Sequence, residues 1–200
     1  MSGWRLAALA VGVIAAAGCA RKHAAPAPAA PPRPPLTTWP QGTTEPLRIT
    51  DALVLMGSEL PFPFRARPSR LILPGIPDGT IACMPLLDEW GVPSRLASRC
   101  DFPGCFCGFV TELADAWLAS LRERELAEVE IFACGPTPML EATAKLARRV
   151  GVPCQVSLEE FMACAVGGCA GCTVPVRTAD GPAMKRVCVD GPVFDAATVF

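Results

Sequence analysis

The fold of this chain is decided by the stretch Val129-Glu130-Ile131-Phe132-Ala133-Cys134-Gly135-Pro136-Thr137-Pro138-Met139. Its first four residues predict a buried strand, and residues 138–150 place apolar side chains at helical spacing. The predicted helix has two arginines in its last turn and Gly151 after it, which is a common helix end. The stretch therefore predicts a strand that turns directly into a helix.

The same pattern extends toward the N-terminus. Residues 53–56 and 71–73 are short apolar runs that predict buried strands, and residues 110–121 predict an amphipathic helix. Because strands and helices alternate, we expect an α/β fold with a parallel sheet. We assign this layer to residues 47–154.

The pattern changes after Cys154, where the chain becomes rich in glycine and cysteine. Residues 173–177 and 184–189 predict two short strands, joined by the turn Ala179-Asp180-Gly181-Pro182. We therefore expect a second, smaller domain over residues 155–200.

Four cysteines of this smaller domain carry the clearest chemical signal: Cys164, Cys169, Cys172 and Cys188. Their spacing is C-x4-C-x2-C-x15-C, and the first three match the plant-type [2Fe–2S] ligand spacing. Such a cluster needs two thiolates on each iron. The glycines between the first three cysteines have no Cβ and let the backbone wrap closely around inorganic sulfide. The spacing favours a [2Fe–2S] cluster with these four cysteines as ligands.

Two other kinds of site compete for these cysteines. Zinc sites usually show two C-x2-C pairs, or one pair with histidines, and this motif has one pair and no histidine nearby. Disulfides suit an exported protein but do not explain the glycines between the cysteines.

Cys100, Cys105 and Cys107 suggest a second metal site but lack a nearby fourth ligand. Cys83 and Cys154 have apolar neighbours and are expected in the core.

Composition excludes several classes of function. The chain has 200 residues with 11 Cys, 22 Pro, 1 His and no Tyr, a formal net charge of −1 and a hydrophobic fraction of 51%. That fraction excludes a fully disordered chain, and the charge gives no sign of nucleic-acid binding. The single histidine, His23, excludes a site with several histidines and a Ser-His-Asp triad in a folded domain. The odd number of cysteines excludes complete pairing within one chain.

The N-terminal residues predict targeting or spacing rather than a core. Residues 1–23 carry an apolar run typical of a secretory signal, and Ala16-Ala17-Gly18-Cys19 resembles a lipoprotein box in which Cys19 is lipidated. Residues 24–46 predict an extended, proline-rich linker. Because cluster thiolates suit a reducing compartment, we expect a cytoplasmic protein, with a membrane-anchored lipoprotein as the alternative.

The turn Cys134-Gly135-Pro136 stands at the predicted strand-to-helix junction, where ligands bind in open α/β sheets. The glycine lets the backbone approach a ligand closely, and the proline begins the helix. A tight structural turn explains these three residues taken alone. With a cluster motif directly downstream, we interpret them as a cofactor-binding turn.

Several of these motifs recur together in one family. They are the turn 134–136 followed by Met139, residues 110–113, Val156-Ser157-Leu158-Glu159-Glu160, Met162-Ala163-Cys164, and Lys185-Arg186-Val187-Cys188-Val189-Asp190-Gly191-Pro192-Val193-Phe194. This combination resembles the ferredoxin–NADP reductase superfamily and, within it, the electron-transfer subunits of dihydroorotate dehydrogenase. The resemblance is strong over residues 105–200 and weak over residues 50–105.

The resemblance implies an electron-transfer subunit rather than a catalytic one. In this family a partner subunit oxidises dihydroorotate on FMN in pyrimidine biosynthesis, and electrons pass through a [2Fe–2S] cluster to FAD and then to NAD⁺. It implies that the four cysteines are cluster ligands and that Cys134, Gly135 and Pro136 lie on the nicotinamide side. It implies no general acid or base in this chain, because the cofactors carry the chemistry.

The sequence departs from the family at the flavin site. The family begins with a flavin-binding barrel that carries an Arg-x-Tyr-(Ser/Thr) motif, and this chain has no Tyr. A Gly-x-Gly turn is also missing from residues 57–60 and 75–79. We therefore expect a partial Rossmann-like nucleotide domain, a remnant of the NAD domain that does not bind FAD or NAD tightly alone. Two explanations are open: the flavin domain is a separate chain, or this chain is a degenerate or truncated copy. The alternatives are an iron–sulfur reductase component of another redox system, such as an oxygenase, and an exported, disulfide-stabilised lipoprotein.

Overall fold

The structure of the chain is a computed structural model that describes residues 9–12 and 52–200. The predicted linker 24–46, His23 and Cys19 lie outside the described residues. The strands are β1 (Leu9–Gly12), β2 (Leu53–Gly57), β3 (Arg67–Pro68), β4 (Ala82–Cys83), β5 (Ser94–Ser98), β6 (Phe106–Cys107), β7 (Ile131–Cys134), β8 (Cys154–Ser157), β9 (Thr173–Thr178), β10 (Gly181–Arg186) and β11 (Val193–Asp195). The helices are α1 (Pro85–Glu89), α2 (Val110–Ser120), α3 (Glu123–Leu126), α4 (Thr137–Val150), α5 (Val187–Asp190) and α6 (Ala196–Val199).

A seven-stranded sheet organises these elements, in the order β11-β8-β7-β1-β2-β5-β6. Neighbouring strands pair in parallel, except that β11 runs antiparallel to β8 at one edge. Two small antiparallel pairs, β3 with β4 and β9 with β10, stand beside it. The expected α/β fold with a parallel sheet is confirmed.

The main core lies between the sheet and the helices α2 and α4. Leu113 and Trp117 of α2 and Leu140 and Leu146 of α4 are buried in one cluster with Ile131 of β7. Because residues three or four apart share one side of a helix, each helix turns a continuous apolar face to the strands. A smaller cluster around Met56, Ala82 and Leu96 forms elsewhere in the fold.

The predicted end of the second helix is confirmed at Gly151. This residue has a φ of 76°, in the left-handed region that glycine adopts without a Cβ clash, and its N–H donates to the Ala147 carbonyl at 2.9 Å. Arg148 and Arg149 occupy the last turn, where positive charge favours the helix dipole. The residues at this end of the sequence therefore account for where the helix stops.

The prediction of a buried strand at residues 71–73 is wrong. These residues form no strand, and Ile72 is 93% exposed. The Leu71 carbonyl accepts a hydrogen bond from the buried Arg95 guanidinium at 2.8 Å instead of pairing with a neighbouring strand. Pro74, which follows, has no N–H for a ladder. The apolar run is therefore a loop whose backbone accepts a hydrogen bond from the buried Arg95 guanidinium.

The second predicted strand of the C-terminal region lies three residues earlier than expected, so that Gly181 and Pro182 of the predicted turn belong to it. β10 ends at Arg186, and α5 begins directly after it, so Cys188 lies on a helical turn rather than on a strand. The Asp190 carboxylate accepts a hydrogen bond from the Arg186 N–H at 2.7 Å, which closes this turn. A local side-chain contact therefore overrides the alternating pattern.

The predicted division at residue 155 stays a prediction, but the two sides share packing. β11 pairs with β8 in the main sheet. Leu55 and Ile131, before the division, and Val174 and Val187, after it, belong to one hydrophobic cluster. The C-terminal region therefore packs directly on the sheet that carries the strand-to-helix turn.

The strand β1 lies inside the segment predicted as a signal or lipoprotein-like region. It pairs in parallel with β2 on one side and β7 on the other, with Leu9 opposite both Leu53 and Ile131. The sequence analysis did not predict a strand here, because a short apolar run fits both a secretory signal and a central parallel strand. Over the described part of the chain, the helices are too short or too polar to cross a bilayer.

Candidate metal centre

The four motif cysteines lie on two neighbouring elements. A loop leaves β8 at Leu158 and carries Cys164, Cys169 and Cys172 before β9 begins, and Cys188 stands on α5. Cys172 is buried, Cys164 and Cys188 are half-buried, and Cys169 is exposed. The backbone joins the two elements, because the Val187 N–H donates to the Cys172 carbonyl at 3.0 Å. The fold thus brings the distant fourth cysteine beside the other three.

The four thiols act on one another. After the backbone N–H groups, the Cys169 thiol also lowers the pKa of Cys164, and the Cys188 thiol also lowers that of Cys172. The charges of Cys172 and Cys164 raise the pKa of Cys188. Mutual effects of this kind are expected where four thiols meet in one place.

Backbone N–H groups point at these sulfurs. N–H groups of Val166 and Cys169 lower the pKa of Cys164 to about 6, and the Cys169 N–H lies 3.4 Å from the Cys164 sulfur. The Cys188 N–H likewise lowers the pKa of Cys172. The neighbouring Cys172 thiol raises the pKa of Cys188, as expected where two thiols compete for one proton. Donors aimed at sulfur stabilise thiolates, the form that binds metal.

The loop owes this shape to left-handed residues. Ala165 and Ala170, which directly follow Cys164 and Cys169, have φ values of 54° and 52°, and Gly167 has 82°. Such values are uncommon for residues with a Cβ and cost of order 1 kcal/mol each. They reverse the chain after each cysteine, so that successive N–H groups turn inward and form a concave nest for negative charge.

Arg186 is a residue that the sequence analysis missed. Its guanidinium donates to the Gly167 carbonyl at 3.0 Å and lies 3.4 Å from the Asp190 carboxylate. It thereby links the three-cysteine loop to the element that carries Cys188. In the sequence, Arg186 is a basic residue two positions before Cys188, and no local pattern predicts its contact with residue 167.

The turn Cys134-Gly135-Pro136 lies where an open sheet binds ligands. Cys134 is the last residue of β7 and is exposed, and α4 begins after Pro136. The strands β2, β5 and β6 lie on one side of β1, and β7, which comes next in the sheet, lies on the other side. The order in which strands are added to the sheet therefore reverses between β1 and β7, beside this turn. Cys134 also pairs with Ser157, the end of the strand that leads into the cluster loop.

The other cysteines have separate surroundings. Cys100 and Cys107 are exposed, and the Cys100 thiol donates to the Glu59 carbonyl at 3.3 Å. Burial raises the pKa of Cys105, and it raises that of Cys154 to about 11, as expected for core thiols. Cys83 is fully buried. All ten cysteines within residues 52–200 are free thiols.

Comparisons with known proteins match the same part of the chain. Residues 159–200 match the family model described as the iron–sulfur cluster binding domain of dihydroorotate dehydrogenase B. Among curated relatives, the dihydroorotate dehydrogenase B (NAD(+)) electron transfer subunit of Caldanaerobacter subterraneus subsp. tengcongensis is 48% identical over 83 residues, 41% of this chain and 34% of the relative. The subunit of the same name from Geobacillus kaustophilus is 42% identical over 92 residues, 46% of this chain and 32% of the relative.

A solved structure extends the similarity across the sheet. It comes from a study of flavin-based electron bifurcation in the NADH-dependent reduced ferredoxin–NADP oxidoreductase, with 27% identity and a TM-score of 0.50 over 74% of this chain and 44% of that chain. The chain spans about a third of the length of the curated relatives it matches. Residues 159–200 are therefore similar to the iron–sulfur cluster binding domain of dihydroorotate dehydrogenase B, and the similarity to its electron transfer subunits covers less than half of this chain.

Proposed function

We propose that this chain transfers electrons through a [2Fe–2S] cluster held by four thiolates, as part of a dihydroorotate dehydrogenase of the B type in pyrimidine biosynthesis. The ligands are Cys164, Cys169, Cys172 and Cys188. The observation that carries the proposal is that the backbone joins the element of Cys188 to the three-cysteine loop at Cys172, and that backbone N–H groups lie 3.4 Å from the sulfurs of Cys164 and Cys169. This arrangement stands inside a domain that matches an iron–sulfur family model. When bound, the cluster supplies one-electron chemistry.

The residues around the thiols fit such a cluster. Each iron of a [2Fe–2S] cluster takes two cysteine thiolates. Cys164 and Cys169 would bind one iron, and Cys172 and Cys188 would bind the other. The N–H groups of Val166 and Cys169 at Cys164, and of Cys188 at Cys172, stabilise negative charge on sulfur. Hydrogen bonds of this kind also raise the reduction potential of a cluster, because they favour its more negative, reduced form.

The proposed partners follow from the relatives. Those proteins are named electron transfer subunits, which supports a catalytic dihydroorotate dehydrogenase subunit with FMN as the electron donor. We place the nicotinamide or flavin side at Cys134, Gly135 and Pro136, because this turn lies at the reversal of strand order and its strand pairs with the strand that leads to the cysteine loop. The route from the cluster to FAD and NAD⁺ also requires a flavin-binding domain. We place the complex in the cytoplasm, which keeps thiols reduced.

The proposal is tested on protein purified without air, by iron, sulfide and flavin analysis and by visible absorption. We expect about two iron atoms and two sulfides per chain, and absorption that bleaches with dithionite. Cys169→Ala removes an exposed motif thiol and should abolish the colour, whereas Cys107→Ala removes an exposed thiol elsewhere and should retain it. Colourless wild-type protein, or equal iron in both variants, contradicts the proposal.

A second measurement tests the partner. Dihydroorotate added to the cluster-loaded chain should bleach the cluster only when the FMN-containing catalytic subunit is present. Bleaching without that subunit, or no bleaching with it, contradicts the proposed electron route while leaving the cluster assignment standing.

A further inference from the structure

The guanidinium of Arg186 joins the two elements that carry the proposed cluster ligands. Its Nη1 donates to the Gly167 carbonyl at 3.0 Å, in the middle of the loop between Cys164 and Cys169. Its Nε lies 3.4 Å from the Asp190 Oδ2, which also accepts the Arg186 backbone N–H at 2.7 Å. Asp190 therefore fixes the arginine at the start of α5, and the arginine in turn holds the loop.

The carbonyl that Arg186 holds belongs to the same peptide group as the Gly168 N–H, inside the loop between Cys164 and Cys169. A hydrogen bond to a peptide carbonyl polarises that peptide group and strengthens its N–H as a donor. Arg186 therefore acts on the orientation and the polarity of a backbone N–H within the three-cysteine loop.

The contact leaves little room for a side chain at residue 167. A Cβ on Gly167 would lie 3.1 and 3.2 Å from the Val189 methyl groups and 3.2 Å from the Arg186 Nη1, and the residue has a φ of 82°. The packing of this peptide against α5 therefore depends on both Gly167 and the arginine. No other charged side chain of the described residues donates a hydrogen bond to this carbonyl.

We infer that Arg186 is a positioning residue for the proposed [2Fe–2S] cluster, an inference that rests on the proposed function. It has two separable effects. Its hydrogen bond to Gly167 locks the three-thiol loop against the element of the fourth thiol, which slows loss of the cluster. Its positive charge lies beside the loop and favours the form of the cluster that holds one more electron, which raises the reduction potential.

Two substitutions separate the hydrogen bond from the charge. Arg186→Lys retains the charge but not the planar donor that reaches Gly167, and Arg186→Gln removes the charge. We expect both variants to release iron to a chelator about tenfold faster than the wild type, since one charge-assisted hydrogen bond is lost. We expect the reduction potential to fall in Arg186→Gln and to stay close to the wild-type value in Arg186→Lys.

Matched controls keep the result specific. Lys185→Gln removes the same charge from the adjacent position on β10, without the contact to Gly167, and should release iron at the wild-type rate. Gly167→Ala leaves Arg186 in place but fills the close contact, and should release iron faster than the wild type. It tests the same contact should an Arg186 variant fail to accumulate as folded protein.

The outcomes distinguish this inference from the proposed function. Wild-type protein without iron overturns the proposed function. Wild-type protein with a stable cluster, together with Arg186→Gln and Gly167→Ala proteins that match it in potential and in iron release, overturns the role of Arg186 alone. Iron release that rises equally in Lys185→Gln also overturns it, because the effect then follows net charge and not the hydrogen bond.

Discussion

Replacing Asp88 by asparagine tests a buried polar network that holds α1 against the loop before β4. The Asp88 side chain is 0% exposed and accepts hydrogen bonds from the Ser69 hydroxyl at 2.8 Å, the Arg70 N–H at 3.1 Å and the Arg70 Nε at 3.0 Å. Burial alone raises its pKa, but the hydrogen bonds from Ser69 and Arg70 outweigh burial and lower it to about 2. Against an unfolded value of about 3.9, this shift corresponds to about 2.5 kcal/mol of stability.

The sign of the pH dependence follows from the lowered pKa. The stabilisation is fully present above about pH 4, about half remains near pH 3, and it is lost as the pH falls through about 2. We expect Asp88→Asn to lower the free energy of unfolding by about 2.5 kcal/mol at pH 7 and by about half as much at pH 3, measured by urea denaturation. Equal losses at both pH values would refute the reasoning.

Glu89→Gln is the matched control for this prediction. Glu89 is the next residue, its side chain is 56% exposed, and its ion pair with Arg67 at 3.2 Å lies at the surface. Because exposed ion pairs contribute little, the control should change the free energy of unfolding by at most about 1 kcal/mol at pH 7. A loss as large as that of Asp88→Asn would show that net charge, not the buried network, sets the stability.

Three further predictions concern single residues. In cluster-free protein at pH 7, iodoacetamide should modify Cys164 faster than Cys154, because their pKa values are about 6 and about 11. Mass spectrometry after short exposure checks the order, and equal rates contradict it. Ala170→Gly should stabilise the cluster-free protein by about 1 kcal/mol in thermal unfolding, since glycine adopts the positive φ of 52° without strain. Gly151→Ala should destabilise it by about 1 kcal/mol, because the φ of 76° is unfavourable for alanine although no atom lies within 4 Å of its Cβ; an unchanged unfolding temperature would contradict either prediction.

Local patterns made much of the sheet and its helices predictable. β2 and α4 follow from short apolar runs, helical spacing and the glycine at the helix end, all of which act between residues close in sequence. The apolar run at 71–73 misled because its backbone bonds to Arg95, more than twenty positions away. Such a partner leaves no periodic trace in the sequence.

Some features of the candidate site could likewise be predicted from the sequence, and others could not. The spacing of Cys164, Cys169 and Cys172 is visible in the sequence because one loop must wrap one group. The approach of Cys188 to the other three cysteines and the contact of Arg186 with Gly167 depend on how α5 packs on that loop, which only the folded chain shows. Cys188 was expected on a strand, and the capping of α5 by Asp190 explains why it is helical.

The central position of β1 has a consequence for the order in which the protein is assembled. Leu9–Gly12 pairs with β7, whose residues leave the ribosome about 120 positions later. A nascent chain can pair β1 with β2 first, but the other edge of β1 stays unpaired until β7 has emerged. Because contacts this distant in sequence close slowly, the two halves of the sheet join at β1 only late in folding.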